Sequence, residues 1–409
     1  MLKAVAPRLS LMMFLNYVVW GSWYVTISTY LTQTLNFSGT QAGAVFGTAA
    51  LSCMISPFFV GLIADRFFAA ERVMCALHLI GAALLYFVST AKSFTGVYLL
   101  MLAYCLCFFP TLALTNSLTL RNVSNPAADF PRIRLFATIG HIFINVVIGS
   151  LQFERSAMPF VISAGTSILM GLYCLTLPHT PPKAKGGAVS WRSAIGLDAL
   201  VMMKDRSFAV FVIASVLACI PLAFYFSFTN PYLNEAGVTN AAGKMTLGQV
   251  TEIIMMLLMP LIFRSVSLKT ILLLGLAAWS LRYAMLAFGN AGDGMWLFYG
   301  AILLHGICYD FFFMTGQIYT DQQAPPHLRG TAQGFVMFLT YGVGMFLGSL
   351  LSGWTVDFFT SAGGRDWRAF WLSSSASAFV ILLLLAVFFQ SRDRIRERQP
   401  ESEAEPQTA

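Results

Sequence analysis

Charge is the scarcest resource in this sequence. Of its 409 residues only 11% are Asp, Glu, Lys or Arg, while 57% are hydrophobic. A soluble chain carries about 25% charged residues. So few ions cannot cover the exterior of a water-soluble fold of this length, so lipid is the solvent for most of the surface. The seven cysteines (Cys53, Cys75, Cys105, Cys107, Cys174, Cys219 and Cys308) all lie in apolar stretches, odd in number and without a CxxC pair or His-rich spacing. They read as small packing residues, and neither a disulfide framework nor a metal site is expected. HExxH, Gly-x-Ser-x-Gly and phosphate-cradling loops are also missing, which leaves an enzyme without a catalytic constellation. No cofactor is implied. The first apolar run follows Lys3 and Arg8, is longer than the core of a signal peptide and lacks a cleavage site, so it reads as a retained span.

What is present is a series of long apolar runs. A bilayer core takes about 20 mostly apolar residues per helix, and that ruler gives twelve candidates: 9–32, 42–64, 72–91, 96–120, 132–152, 158–177, 207–233, 246–264, 269–288, 295–318, 329–353 and 368–390. The runs are too long for membrane strands and do not alternate as barrel strands do. The fold class expected is therefore an all-α membrane protein with twelve transmembrane helices in two pseudo-symmetric six-helix bundles. With the N-terminus inside, nineteen of the 25 Lys and Arg fall in cytoplasmic segments, five in outer loops, and Arg282 within the ninth span. The positive-inside rule then places both termini in the cytoplasm, which an even span count requires. The net charge of +7 reports this topology and not nucleic-acid binding.

The longest connection, 178–206, has the Pro, Gly and Lys content of a linker and splits the chain near its middle. The expected units are a six-helix bundle over 1–177, a cytoplasmic linker over 178–206, a second bundle over 207–391 and a disordered cytoplasmic tail over 392–409. Two such halves suggest a carrier with a midplane site between them. Gly43 and Gly47, and Gly344, Gly348 and Ser352, put small residues on single helix faces, where close helix contact is expected.

Ionisable groups at membrane depth are costly and face a cavity or a partner. Four stand out: Arg134, Glu252, Arg282 and Asp310. Arg134, Thr138 and His141 share one face of the fifth span, Gln249 and Glu252 one face of the eighth, and His305 and Tyr309 one face of the tenth, with Asp310 about 100° around it. These faces offer directional polar groups to a hydroxylated, heteroaromatic solute. Tyr309, Trp20, Trp23 and Phe226 offer flat stacking surfaces. Blander readings stand beside these. Pro131 would open a helix just before Arg134 and leave that residue at a loop end. Arg282 would serve as an ion-pair partner for a neighbouring helix, His78 as a satisfied core histidine, and Trp20 and Trp23 as packing or interfacial aromatics.

The stretch GLIADRFFAAERV (61–73) resembles the loop signature of the major facilitator superfamily, here as Gly61, Asp65, Arg66 and Arg72. A closer resemblance, spread over both halves, is to the nucleoside:proton symporters, the nucleoside permeases. It is carried by VWGSW (19–23), FFPTLALTNSL (108–118), DFPRIRLFATIG (129–140), GQVTE (248–252), YDFFFMTG (309–316) and RGTAQGF (329–335). The resemblance implies a monomeric carrier that couples nucleoside uptake to proton entry across the inner membrane by alternating access.

 Its implied partners are a nucleoside, a proton and the lipid bilayer. Carried over one position at a time, Arg134 and Thr138, Gln249 and Glu252, and Asp310 match the family's binding and acidic positions. Glu252 or Asp310 would then take up the coupling proton. Two features depart from the pattern: His141 and His305 stand where the family's nucleoside permease has aromatic residues, and Ala223 and Phe226 stand where it has amides. The preferred nucleoside is left open by these changes, and a symporter of another polar solute, such as a sugar or nucleoside-like compound, is the alternative.

Overall fold

The computed structural model describes residues 5–59, 68–182 and 196–390. Gly61, Asp65 and Arg66 of the loop signature, the 183–195 part of the linker and the 391–409 tail lie outside the described residues. The helices are α1 (Val5–Tyr24), α2 (Ile27–Gln33), α3 (Gly39–Phe59), α4 (Ala70–Thr90), α5 (Phe94–Asn122), α6 (Pro126–Ser150) and α7 (Met158–Cys174) in the N-terminal half. The C-terminal half contains α8 (Arg206–Glu235), α9 (Ala241–Ser265), α10 (Leu268–Phe288), α11 (Met295–Gln323), α12 (Pro326–Phe358) and α13 (Trp367–Phe388). Among the described residues, the nine from α4 to α6 and α8 to α13 are long and apolar enough to cross a membrane. The sole strands among these residues are the two-residue pair Thr360–Ser361 and Gly364–Arg365 between α12 and α13.

Polar residues at the membrane ends set where the helices begin. Ser93, Asn125, Asp205, Ser267 and Asp366 each accept a bond from the amide three residues on. Each such cap satisfies an amide that the helix leaves free, and is worth about 1 kcal/mol. The Asn125 cap corrects the expected start of the fifth span. The helix opens at Pro126, runs through Pro131 and carries Arg134 in its third turn. The first span differs too, since it breaks at Val25–Thr26 into α1 and α2. Part of the expected linker is structured as a 3-10 helix over Leu197–Lys204, which packs against α8 and the start of α12.

Glycine lets the two halves touch. A Cβ on Gly43 would sit 2.3 Å from the Ser349 carbonyl oxygen, and one on Gly353 would sit 2.3 Å from that of Gly39. These contacts press α3 against α12. Gly344 and Gly348 serve the opposite face of α12, against Val216, Cys219 and Ile220 of α8. The small-residue stripes thus provide close contact on two sides of one helix, as backbone approach in lipid requires.

The end of the bundle opposite the start of α1, here the far end, is clasped by two carboxylates. Glu154, between α6 and α7, is 4% exposed. It accepts bonds from Asn230 Nδ2 at 2.7 Å, Asn234 Nδ2 at 2.6 Å and the Ala242 amide at 3.0 Å, all from the other half. Asp357 at the end of α12 accepts from the Gly39 and Thr40 amides at 2.6 and 2.7 Å and from Thr40 Oγ1 at 2.6 Å. A carboxylate at the N-terminus of α3 also complements the helix dipole. Thr29 Oγ1 donates to Asn230 Oδ1 at 2.5 Å, and Gln33 Nε2 to the Pro231 carbonyl at 2.9 Å. Among the described residues, every side-chain hydrogen bond between the halves lies at this end.

A bond to a charged group contributes roughly 1.5–3 kcal/mol, and about 1.4 kcal/mol is a tenfold change in an equilibrium. Glu154→Ala should therefore shift the population of far-end-open molecules at least about tenfold. Electron-electron resonance distances between spin labels on the 34–38 and 236–240 turns would report it. An unchanged distance distribution would show that Glu154 is not a latch.

Candidate functional site

Between the halves lies a cavity of about 430 Å³. Its wall comes from α1, α3, α5 and α6 on one side and α8, α9, α11 and α12 on the other, while α4, α7, α10 and α13 contribute no lining residue. Nine of the residues singled out from the sequence meet here: Trp20, Arg134, Thr138, His141, Phe226, Gln249, Glu252, His305 and Tyr309. The helix periodicity explains the convergence. Each polar stripe lies on the face its helix turns away from lipid, and the two inner quartets of helices aim these faces at one another.

Arg134 projects from α6 and donates to Tyr17 Oη at 2.6 Å, with its guanidinium 4.5 Å from the Tyr17 ring centroid. It does not form an ion pair with Glu252, although both line the cavity. Tyr17 was not among the sequence candidates. Its position three residues before Trp20 places it on the same helix face, which is the signal that would have identified it. His141 meets Trp20 edge-on, with ring centroids 5.8 Å apart. Trp20 also contacts Tyr24 at 5.1 Å, and Tyr24 contacts Phe46 at 5.0 Å and Phe226 at 5.9 Å. These aromatics line the cavity about one helical turn before Thr29 and Asn230 of the far-end clasp. The Gln249 side-chain amide faces the Met245 and Thr246 carbonyls of its own helix at 3.0 and 3.2 Å, so its nitrogen is assigned to that side.

On α11, His305 Nε2 lies 3.8 Å from Glu252 Oε2. Tyr309 Oη lies 2.5 Å from Tyr341 Oη of α12. Both helices have a π-helical stretch here, at Asp310–Met314 and Phe338–Gly344. Such stretches place an extra residue in a turn and recur at functional sites. Tyr341 is a second residue that the sequence pattern did not single out.

Other candidates lie elsewhere. Asp310 is 5% exposed, does not line the cavity, and its Oδ2 has no hydrogen-bond partner among the described residues. Trp23 packs in the core, donating to Tyr104 Oη at 3.0 Å. His78 is a buried packing residue bonded to Ser167 Oγ at 3.0 Å. Ala223 is buried against the Gly348 face of α12 and off the cavity wall. Arg72 begins α4, far along the chain from any cavity-lining stripe. Arg282 departs from expectation. Instead of a carboxylate it meets His305 and Tyr225, with no acidic partner within 4 Å among the described residues.

Residues 3–394 match the family model described as the nucleoside H+ symporter. YegT of Escherichia coli (strain K12) is 38% identical over 401 residues, covering 94% of each chain. The xanthosine permease of the same organism is 32% identical, covering 94% of this chain and 95% of the relative. The crystal structure of the nucleoside transporter NupG superposes with a TM-score of 0.88 at 30% identity, covering 95% of this chain and 99% of that one. Peptide-transporter structures at 12–14% identity share the fold alone. With the family model spanning nearly its whole length, the chain belongs to the nucleoside H+ symporter family, whose members are carriers built on the major facilitator fold.

Proposed function

We propose that the cavity between the halves is the nucleoside site and that Glu252 is the group that couples it to protons. The convergence of Arg134, Thr138, Gln249, Glu252, His305 and Tyr309 on one cavity from three different helices carries this reading. Arg134 and Thr138 on one half and Gln249 and Glu252 on the other give a bound solute contacts with both. A solute favours one arrangement of the halves only through such differential contacts. Trp20 and Phe226 supply flat faces for a base, and His141 a polar edge beside Trp20. Burial favours the neutral form of a carboxyl group and a nearby guanidinium favours the charged form. Movement of Arg134 relative to Glu252 would therefore govern when a proton is held. Asp310, buried with Oδ2 unpartnered among the described residues, is assigned a second, indirect part in that coupling.

The same reading places the chain in a cell inner membrane as a monomer with twelve spans and both termini cytoplasmic. Its bundles are 1–177 and 207–391, joined by the 178–206 linker, and the 392–409 tail extends into the cytoplasm. The motif residues Gly61, Asp65, Arg66 and Arg72 are assigned the conformational switch in this reading. With the start of α1 on the cytoplasmic side, the clasped far end faces outward, and the arrangement is the inward-facing one. Glu154 and Asp357 are then the outer gate.

Glu252→Gln should abolish proton-driven accumulation of labelled nucleoside in vesicles, by about tenfold or more, while exchange without a gradient persists. Asp310→Asn, measured separately, should reduce accumulation in the same assay. Undiminished accumulation in both variants would end the coupling assignment. Arg134→Ala should weaken nucleoside binding by about 10- to 100-fold, following from roughly 1.5–3 kcal/mol for a hydrogen bond to a charged group. Calorimetric titration measures this, and a thermal-shift screen over nucleosides, free bases and sugars should show the largest stabilisation with nucleosides.

A further inference from the structure

Arg282 is 0% exposed and sits on α10, a helix that does not line the cavity. Its Nη1 lies 3.0 Å from His305 Nδ1. Its guanidinium carbon is 3.4 Å from the centroid of the Tyr225 ring, which in turn stacks on the His305 ring at 5.7 Å and 24°. A guanidinium has donors and no acceptor. The hydrogen bond between Arg282 and His305 therefore requires a lone pair on Nδ1, and the imidazole proton must reside on Nε2. That nitrogen is the one directed to Glu252, 3.8 Å from Oε2. The separation is too long for a direct hydrogen bond. Nε2–H and the carboxylate thus stand side by side, each with capacity for a solute.

We propose that Arg282 is a positioning residue that locks His305 in its Nε2–H tautomer, giving the cavity a fixed donor next to the Glu252 acceptor. This pair fits a solute edge with an acceptor and a donor on neighbouring atoms, as in the amide or amidine edge of a nucleobase. The inference rests on the cavity being the nucleoside site and adds how one wall of it is set. Histidine alone would leave the choice of nitrogen to whatever solute or water arrived. A buried cation with no acidic partner within 4 Å among the described residues removes that choice.

The tautomer is read directly by solid-state 15N NMR of histidine-labelled, solute-free protein in bilayers, with the His305 signal identified by its loss in His305→Gln. The expected spectrum has an unprotonated Nδ1 and a protonated Nε2. A protonated Nδ1 would overturn the proposal. In Arg282→Met, the signal should split between the two tautomers; an unchanged single tautomer would also overturn it. Binding supplies a second test that does not depend on how well Arg282→Met folds. His305→Gln retains an acceptor for Arg282 and a donor for the cavity, and serves as the reference for a variant that loses the donor. His305→Phe keeps a ring but no donor, and should bind about tenfold or more weakly. Equal affinities of these two variants would overturn the proposal. Absence of nucleoside binding by the unsubstituted protein would instead sink the transport reading, and the solute-free spectrum tells the two failures apart.

Discussion

Hydrocarbon solvates neither a bare ion nor an unpaired amide, and this constraint organises the whole molecule. It explains why the backbone is helical throughout the apolar runs and why helix starts carry side-chain caps. It also explains the placement of the proline-containing stretches. α8 contains Pro221 and Pro231, and side chains from neighbouring elements bond carbonyls at both: Tyr283 Oη donates to the Pro221 carbonyl at 2.6 Å, and Gln33 to that of Pro231. Helix irregularity persists where protein surrounds it.

The same constraint separates two uses of charge. Glu154 and Asp357 are surrounded by neutral donors from the opposite half, so their solvation depends on the halves staying together at the far end. Removing those donors would leave the carboxylates needing water, which only an opened far end supplies. Arg134 and Glu252 instead line a cavity and are not paired with one another. Charges satisfied within the protein hold a conformation, and charges left toward a cavity remain available to a solute or a proton. A carrier needs both kinds, because its site must be accessible at one end while the other is sealed.

The helical membrane fold was legible because long apolar runs of bilayer thickness are a linear property of a sequence. Part of the candidate site was legible for a related reason: a polar stripe at helical spacing inside an apolar run has few places to point. Arg134, Thr138 and His141 follow that logic, as do His305 and Tyr309. What the linear pattern could not convey was pairing between helices. Tyr17 is an ordinary aromatic until Arg134 is seen against it, and Tyr341 until Tyr309 is. Pro131 read as a helix start because proline is tolerated there, yet Asn125 and Pro126 open the helix more than a turn earlier. Glu154 lies in a short connection, where a carboxylate normally meets water, and nothing local announces the three donors that bury it.

Arg282 shows how far the constraint reaches beyond the cavity wall. A buried cation reads from sequence as half of an ion pair, because a second charge is the most direct way to offset its desolvation. The structure offsets it by other means: the π face of Tyr225 and the lone pair of His305, both of which favour a cation. These partners are neutral, so the cation does not neutralise Glu252 and does not bind it directly. It acts through the imidazole, whose far nitrogen it leaves protonated. An ionic residue on an outer helix can therefore shape the hydrogen-bonding character of the solute site without touching solute. Histidine at position 305 gives the site a donor of defined direction only because that cation stands behind it.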